Sequence, residues 1–161
     1  MKLKMEDTLI KILFRFYSDI LEEETSETMW ATIVDEQKGL YKIDNIPFYA
    51  FIACEDVVFA EYDEDEQMIT YRETVEYSGN STIHVVLLDE KVDVMEIRNS
   101  LKTLNCESEG LNKRYFALEI PKSVGYSKIK DILKDLEKKD ILSYSETCLA
   151  NAHWDEVYSP G

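Results

Sequence analysis

The chain has 161 residues, of which 45% are hydrophobic, and its 33 acidic and 18 basic residues give a formal net charge of −15 at pH 7. This length allows one domain or two small ones, and the hydrophobic content excludes a disordered chain. No stretch reaches the ~20 apolar residues that a membrane-spanning helix needs. The first residues lack the apolar region of a signal peptide, so we expect a globular protein of the cytoplasm.

The acidic residues are unevenly distributed along the chain. Residues 1–79 carry 19 acids and 7 bases, whereas residues 80–161 carry 14 acids and 11 bases. A negative surface repels phosphate groups, so we expect neither nucleic acid nor an anionic membrane as a partner. The same field would attract a basic protein and accelerate its encounter with the chain, although an acidic surface can also serve solubility alone.

The first half of the chain has the pattern of short strands joined by turns. In residues 9–17 apolar side chains recur at every second position, as on one face of a strand. Gly39 suits a turn that needs a positive φ, and residues 63–67 form an acidic hairpin tip. The five strand-like runs are residues 9–17, 28–34, 40–43, 57–62 and 68–77.

The second half of the chain alternates strands with helices. Residues 83–88 form an apolar run that is short and rich in branched side chains, as in a central strand. Asp93 stands three residues before Glu96, a spacing at which both side chains can bind backbone N–H groups at the start of a helix. Two further strand-like runs follow, then a second helix that Ser127 can cap, and then a last short strand.

The two halves together predict an α+β protein. Residues 1–79 are expected to form a small antiparallel β-barrel or a curled sheet, with the boundary in the turn-forming residues 78–81. Residues 80–150 have the βαββαβ order of a ferredoxin-like subdomain. The polar residues 151–161 predict a flexible tail. The apolar residues 48–53 fit no element.

Several short segments also carry a family resemblance. They are Trp30, residues 45–48 with the sequence NIPF, residues 55–58 with the sequence EDVV, and residues 76–82 with the sequence EYSGNST. With these segments the chain resembles an uncharacterised bacterial family, domain of unknown function 4265, over roughly residues 8–150. The resemblance implies a bacterial cytoplasmic protein with this two-part layout, and it implies no activity and no catalytic residue.

Residue types with catalytic or metal-binding potential are few. His84 lies within the apolar strand and His153 lies in the tail, so no pair of histidines has metal-ligand spacing. Cys54, Cys106 and Cys148 are far apart and lack the C-x-x-C spacing, which is typical of free thiols in a reducing compartment. We therefore predict no metal, no cofactor and no enzymatic activity, with His84 as a histidine of the core.

The candidate site is instead a protein-binding surface. Charged residues set the rate and specificity of an encounter, while Tyr and Trp side chains commonly supply the affinity. The consecutive carboxylates at the hairpin tip lack the spacing of a calcium loop, so they are read as a solvated negative surface. The predicted partner-binding residues are Trp30, Glu55, Asp56, Glu61, Tyr62, Asp63, Glu64, Asp65, Glu66 and Tyr71.

Two functions fit these observations. The first is a non-catalytic immunity or antitoxin-type protein, monomeric or weakly dimeric, that neutralises a basic bacterial toxin such as a nuclease by covering it. The alternative is a ligand-sensing or regulatory module that binds a small molecule between its two halves. An enzyme would require a titratable cluster in a cleft, which the sequence does not indicate.

Overall fold

The computed structural model describes residues 8–18 and 21–159, and the chain divides into two compact units. Unit 1 contains Met1–Asn45 and Cys54–Ser78, and unit 2 contains Ile46–Ala53 and Gly79–Gly161. The division after Ser78 lies one residue from the predicted boundary. Residues 1–7 and 19–20 of the predicted first subdomain, and residues 160–161 of the predicted tail, lie outside the described residues.

The described residues form a mixed α+β structure, as predicted, with nine strands and three helices. None of these helices is long and apolar enough to cross a membrane. The strands of unit 1 are β1 (Ile10–Ser18), β2 (Glu23–Asp35), β3 (Leu40–Ile43), β4 (Val57–Asp63) and β5 (Met68–Glu76). The elements of unit 2 are β6 (Ser81–Leu87), α1 (Val94–Lys102), β7 (Ser108–Asn112), β8 (Tyr115–Ile120), α2 (Ser127–Lys138), β9 (Leu142–Cys148) and α3 (Asn151–Tyr158).

Unit 1 is a five-stranded sheet in which each strand pairs with the next in antiparallel fashion. One parallel pair, Leu13 with Thr70, also connects β1 to β5. The period-two pattern of β1 is confirmed, because Ile12 and Phe14 are buried on its apolar side. The predicted turn before β3 is confirmed as well: Gly39 has φ +69°, and a Cβ there would lie 2.8 Å from a backbone oxygen of Ala60.

Unit 2 is a four-stranded antiparallel sheet with the order β7-β8-β6-β9. Strand β6 is central, as predicted, and pairs with both β8 and β9. Its inward side chains pack against α1 and α2 through a core that includes Ile83, Leu101 and Leu133. Asp93 caps α1 as predicted, since its side chain accepts a hydrogen bond of 2.9 Å from Met95 N.

The apolar residues 48–53, which fit no element in the sequence, belong to unit 2 together with Ile46 and Pro47. Ile52 and Ala53 are buried. The hydroxyl of Thr82 donates to the backbone oxygen of Ile52 at 2.8 Å, and the ring of His84 bonds the backbone oxygen of Pro47 at 2.9 Å. The segment therefore contributes both apolar surface and backbone acceptors to the central strand of unit 2.

The end of the chain differs from the predicted flexible tail, because residues 151–158 form helix α3. His153 is 1% exposed, and its ring bonds the hydroxyl of Ser81 at 2.7 Å and the backbone oxygen of Val124 at 2.9 Å. These polar contacts, together with Val157, which packs against the core, hold helix α3 within unit 2. A short polar stretch of this kind carries too little apolar periodicity to predict a docked helix.

Glu156 of α3 caps α2, a role that the sequence assigned to Ser127. The side chain of Ser127 makes no capping bond, since Ser127 is the first helical residue and Tyr126 occupies the cap position. Glu156 Oε2 instead accepts hydrogen bonds from the backbone N–H groups of Tyr126 at 2.8 Å and Ser127 at 3.0 Å. Burial opposes ionisation of Glu156, but these hydrogen bonds lower its pKa below the ordinary value.

Replacing this cap is expected to weaken unit 2. The substitution Glu156→Ala removes the acceptor of two backbone N–H groups and should cost about 1 kcal/mol of unfolding free energy. Urea unfolding followed by the fluorescence of Trp154, in a Trp30→Phe background, measures the loss in this unit. The matched control is Asp155→Asn on the same helix, which should leave the midpoint unchanged. Equal midpoints for both variants would contradict the capping role.

Candidate functional site

The predicted acidic tip is the turn between β4 and β5, and Asp63 organises it. The Oδ1 atom of Asp63 accepts hydrogen bonds from the backbone N–H groups of Asp65 at 2.9 Å and Glu66 at 3.1 Å. Its backbone oxygen accepts a third bond from Gln67 N at 2.7 Å, and Gln67 has φ +55°. Asp63 therefore stabilises the turn, as Asp side chains commonly do in tight turns.

Two arginines neutralise three acids of the hairpin. Arg72 pairs with Glu61 at 3.0 Å and with Asp63 at 2.9 Å, and Arg15 of β1 pairs with Glu66. The hydrogen bond from Arg72 is the main reason that the pKa of Asp63 is lowered. Pairs as exposed as these add little stability, but they hold the carboxylates in fixed positions on the sheet.

Glu64, Asp65 and Tyr62 form the exposed part of the hairpin, which we call the acidic tip. Tyr62 is 61% exposed, and both carboxylates are exposed as well. Within residues 8–18 and 21–159, neither carboxylate has a side-chain hydrogen bond or an ion pair. The acidic tip therefore presents two uncompensated charges beside a large aromatic side chain, a combination suited to contact with a cationic surface.

The other predicted binding residues are arranged differently. Trp30 is 44% exposed on β2, where the Lys11 ammonium lies 5.0 Å from its ring centre. Strand β3 lies between β2 and the β4–β5 hairpin in the strand order of the sheet. Tyr71 is half-buried and stacks on Phe14 with a centroid distance of 4.6 Å. Both aromatics thus have contacts of their own within unit 1.

Asp56 and Glu55 differ in exposure although they are adjacent. Asp56 is 1% exposed and accepts a hydrogen bond from Ser78 N at 2.8 Å, so its carboxylate serves the fold of unit 1 and is removed from the candidate surface. Glu55 is exposed and has φ +71°. The sequence alone could not distinguish the two acids, because burial by residues that are distant in the chain leaves no local pattern.

Sequence reasoning missed a polar cluster in unit 2, which we call the Glu146 cluster. Glu146 of β9 accepts hydrogen bonds from the hydroxyls of Tyr126 and Tyr158 and from the Lys130 ammonium at 3.0 Å. The ammonium also lies 4.4 Å from the ring centre of Tyr158 and 5.8 Å from that of Tyr144. Carboxylate, cation and rings come from three separate segments, residues 126–130, residues 144–146 and Tyr158, so no local motif could reveal them.

The electrostatics of the cluster favour its ionised form. Burial opposes ionisation of Glu146, but the hydrogen bonds from Tyr126, Tyr158 and Lys130 lower its pKa. Burial likewise opposes protonation of Lys130, but bonds with Tyr158 and Glu146 raise its pKa. Burial and the neighbouring carboxylate raise the pKa of Tyr126. Each group is held in its ordinary charge state, which suits a structural role better than proton transfer.

The two histidines are bonded through both ring nitrogens. His84 is 1% exposed, with Nδ1 2.8 Å from the hydroxyl of Thr147 and Nε2 2.9 Å from the backbone oxygen of Pro47. Burial lowers the pKa of His84 to about 4. This confirms the prediction of a satisfied core histidine. No group of three His, Cys, Asp or Glu residues in the described part of the chain is placed to hold a metal ion.

Comparisons with known proteins agree with the sequence resemblance. No curated protein matches the chain. A crystal structure of a hypothetical protein from Neisseria gonorrhoeae is similar, with 26% sequence identity and a TM-score of 0.77, over 89% of this chain and 96% of that one. The model of the family described as "domain of unknown function (DUF4265)" matches residues 27–144. The chain therefore belongs to the DUF4265 family.

Proposed function

We propose that this chain is a non-catalytic binding protein that presents the acidic surface of unit 1 to a basic protein. The sharpest form of the proposal is an immunity or antitoxin-type inhibitor that covers a cationic toxin domain such as a nuclease. Such a role needs a charged surface that accelerates encounter and exposed aromatics that contribute affinity. It needs no cofactor and no bond-making step.

The charge of unit 1 supports this proposal. Its described residues include 16 Asp or Glu and only five Lys or Arg. Of those five bases, Arg15 and Arg72 are paired with hairpin acids, and Lys11 lies over the ring of Trp30. Little positive charge thus remains to compensate the other carboxylates, so the field over this unit is strongly negative.

The acidic tip is the observation that carries the proposal. Glu64 and Asp65 project from a turn that Asp63 holds in one conformation, and Tyr62 is exposed beside them. A preorganised turn loses little conformational entropy when it binds, which favours affinity. We expect the interaction to take place in the reducing cytoplasm, as the wide spacing of Cys54, Cys106 and Cys148 in the sequence predicts.

We also infer a finer description of the two folds. The Leu13–Thr70 pair between β1 and β5 supports a small antiparallel barrel for unit 1, since it would join the edges of the sheet. The order β7-β8-β6-β9 of unit 2, together with the βαββαβ sequence of elements, supports a ferredoxin-like arrangement. Both folds can present protein-binding surfaces, and neither implies a reaction.

Charge reversal at the acidic tip is expected to slow association. The variant Glu64→Lys/Asp65→Lys should reduce the association rate constant for the basic partner about tenfold at low salt, because steering depends on local charge. The melting temperature should stay unchanged, since neither side chain supports the turn. The partner is first captured from the producing organism, and its binding is then followed by surface plasmon resonance at low and high ionic strength.

A matched variant separates steering by the tip from the effect of total charge. Glu107→Lys/Glu109→Lys makes the same change in net charge on exposed positions of unit 2. It should alter the rate constant much less than the tip variant does. Equal rates for the tip variant and the unaltered chain would count against this surface. A partner whose catalytic activity is not inhibited on binding would count against the inhibitor role.

A further inference from the structure

Unit 2 contains a surface cavity of about 650 Å³ that the proposed contact with a basic protein does not use. It lies between the loop that precedes α1 and the turn that joins β7 to β8. Its volume falls within the range of about 300–1,000 Å³ that is typical of small-molecule sites. The lining residues that the structure describes all belong to unit 2.

The cavity is lined by cations within an acidic protein. Lys91, Lys113 and Arg114 line it, together with Glu90 and Asp93. The carboxylate of Asp93 is engaged by the backbone N–H of Met95 at 2.9 Å, as the cap of α1. The pair between Glu90 and Arg114 is long, at 3.6 Å, and Glu90 is 79% exposed. The balance of charges around the cavity therefore favours binding of an anion. The positive end of the α1 helix dipole adds to this preference.

Arg114 is held in place from two sides. Its Nε donates to the backbone oxygen of Leu87 at 3.2 Å, and its backbone N–H donates to Asn112 Oδ1 at 2.8 Å. A guanidinium has five N–H donors, so fixing it through Nε leaves its terminal nitrogens, one of them 3.6 Å from the Glu90 carboxylate, able to bind the carboxylate of a ligand. A positioned guanidinium binds such a group with little loss of side-chain entropy.

The rest of the lining is apolar. Leu87 and Val94 form the buried part of it, Val92 is half-buried, and Met95 is 44% exposed at the start of α1. An exposed methionine beside a cationic rim suits a ligand with an aliphatic portion, because its flexible side chain adapts to the shape of that portion. A simple inorganic anion would leave this apolar surface uncovered.

We propose that this cavity binds a small amphiphilic carboxylate, with its head group on Arg114 and Lys113 and its aliphatic body against Met95 and Val92. The site uses none of the residues of the acidic tip. It would make the chain a ligand-responsive protein whether or not the tip binds a basic partner. The net charge of unit 2 opposes an anion much less than that of unit 1, because the described residues of unit 2 carry 14 acids and 11 bases.

The test is a titration of the full-length ¹⁵N-labelled chain with octanoate, followed by two-dimensional amide NMR. Octanoate should shift resonances of residues 87–95 and 112–114, and Lys113→Glu/Arg114→Glu should weaken its binding about tenfold or more. Lys134→Glu/Lys138→Glu makes the same charge change on exposed positions of α2 and should leave the affinity within about twofold.

Other probes separate the head group from the aliphatic body. Inorganic phosphate has a comparable negative charge without an aliphatic body and should produce smaller shifts, while octylammonium should not shift these residues. Equal shifts with phosphate and octanoate would overturn the aliphatic part of the proposal. Octanoate shifts outside the cavity, or shifts that survive in Lys113→Glu/Arg114→Glu, would overturn the site itself.

Discussion

Acidification from pH 6.5 to pH 4 is expected to remove about 3 kcal/mol of the stability of unit 2 through His84 alone. The ring is buried in the folded state, and its pKa there is about 4, against 6.5 for an exposed histidine. Each pKa unit corresponds to about 1.4 kcal/mol of linked free energy. The difference between these two pKa values is therefore a large contribution of one side chain to the free energy of unfolding.

The direction of this change in stability with pH follows from whether the folded or the unfolded state binds the proton more readily. The unfolded chain takes up a proton at His84 near pH 6.5, whereas the folded chain resists it until about pH 4. The contribution of His84 is complete above pH 6.5, decreases as the pH falls, and is lost below about pH 4. The geometry agrees, because Nε2–H donates to Pro47 and leaves Nδ1 as the acceptor for the Thr147 hydroxyl. Protonation would replace that acceptor with a donor.

Urea unfolding at several pH values, with Trp154 as the reporter in a Trp30→Phe background, measures this effect. The slope of unfolding free energy against pH between 4 and 6.5 should decrease in His84→Gln, because glutamine can donate to Pro47 without titrating. That variant should be less stable than the unaltered chain at pH 7 and less sensitive to acid. An unchanged slope, or a His84 ring that titrates near pH 6.5 by NMR, would contradict the prediction.

The sequence predicted those features that are determined by residues close together in the chain. The Asp93 cap of α1 and the positive φ of Gly39 each depend on a few neighbouring residues, and both are confirmed. The central position of β6 followed from its continuous apolar run. The Asp63–Glu66 turn was placed correctly for the same reason, since its bonds span only two or three residues.

Features that depend on distant contacts were not predictable in this way. Residues 46–53 join unit 2 through bonds to Thr82 and His84, which lie 30 or more positions further along the chain. Helix α3 is held by His153 and Glu156 rather than by an apolar stripe, so periodicity could not reveal its docking. Asp56 was included in the candidate surface for the same reason, because the residues next to it in the sequence do not indicate that its carboxylate is buried.

The second large effect is expected at the Glu146 cluster, where Glu146→Ala should cost about 2 kcal/mol. The side chains of Lys130 and Glu146 are only 13% and 17% exposed, so their pairing is shielded from water. Removing the carboxylate leaves the ammonium without its charged partner and the Tyr126 hydroxyl without its acceptor. Burying groups that have lost their partners is more costly than losing the bonds themselves.

Lys130→Met should cost less than about 1 kcal/mol. Glu146 keeps two hydroxyl donors, Tyr126 and Tyr158, when the ammonium is removed. A methionine of similar length can also remain in contact with the rings that the ammonium now approaches. The two halves of one ion pair are therefore expected to differ in the cost of their removal. Glu146 keeps two hydroxyl donors without Lys130, whereas among the described residues Lys130 without Glu146 keeps only a neutral acceptor, the Tyr158 hydroxyl.

A double-mutant cycle tests this asymmetry. The combined variant Glu146→Ala/Lys130→Met should be more stable than Glu146→Ala alone, because the second change removes the ammonium that the first leaves unpaired. Urea unfolding at pH 7 gives the four free energies, with Asp131→Ala, an exposed acid of α2, as a control expected to be neutral. If Lys130→Met were as costly as Glu146→Ala, the stability of the cluster would depend on the cation over the rings. The cation over the rings would then contribute as much stability as the carboxylate, which would contradict the predicted asymmetry.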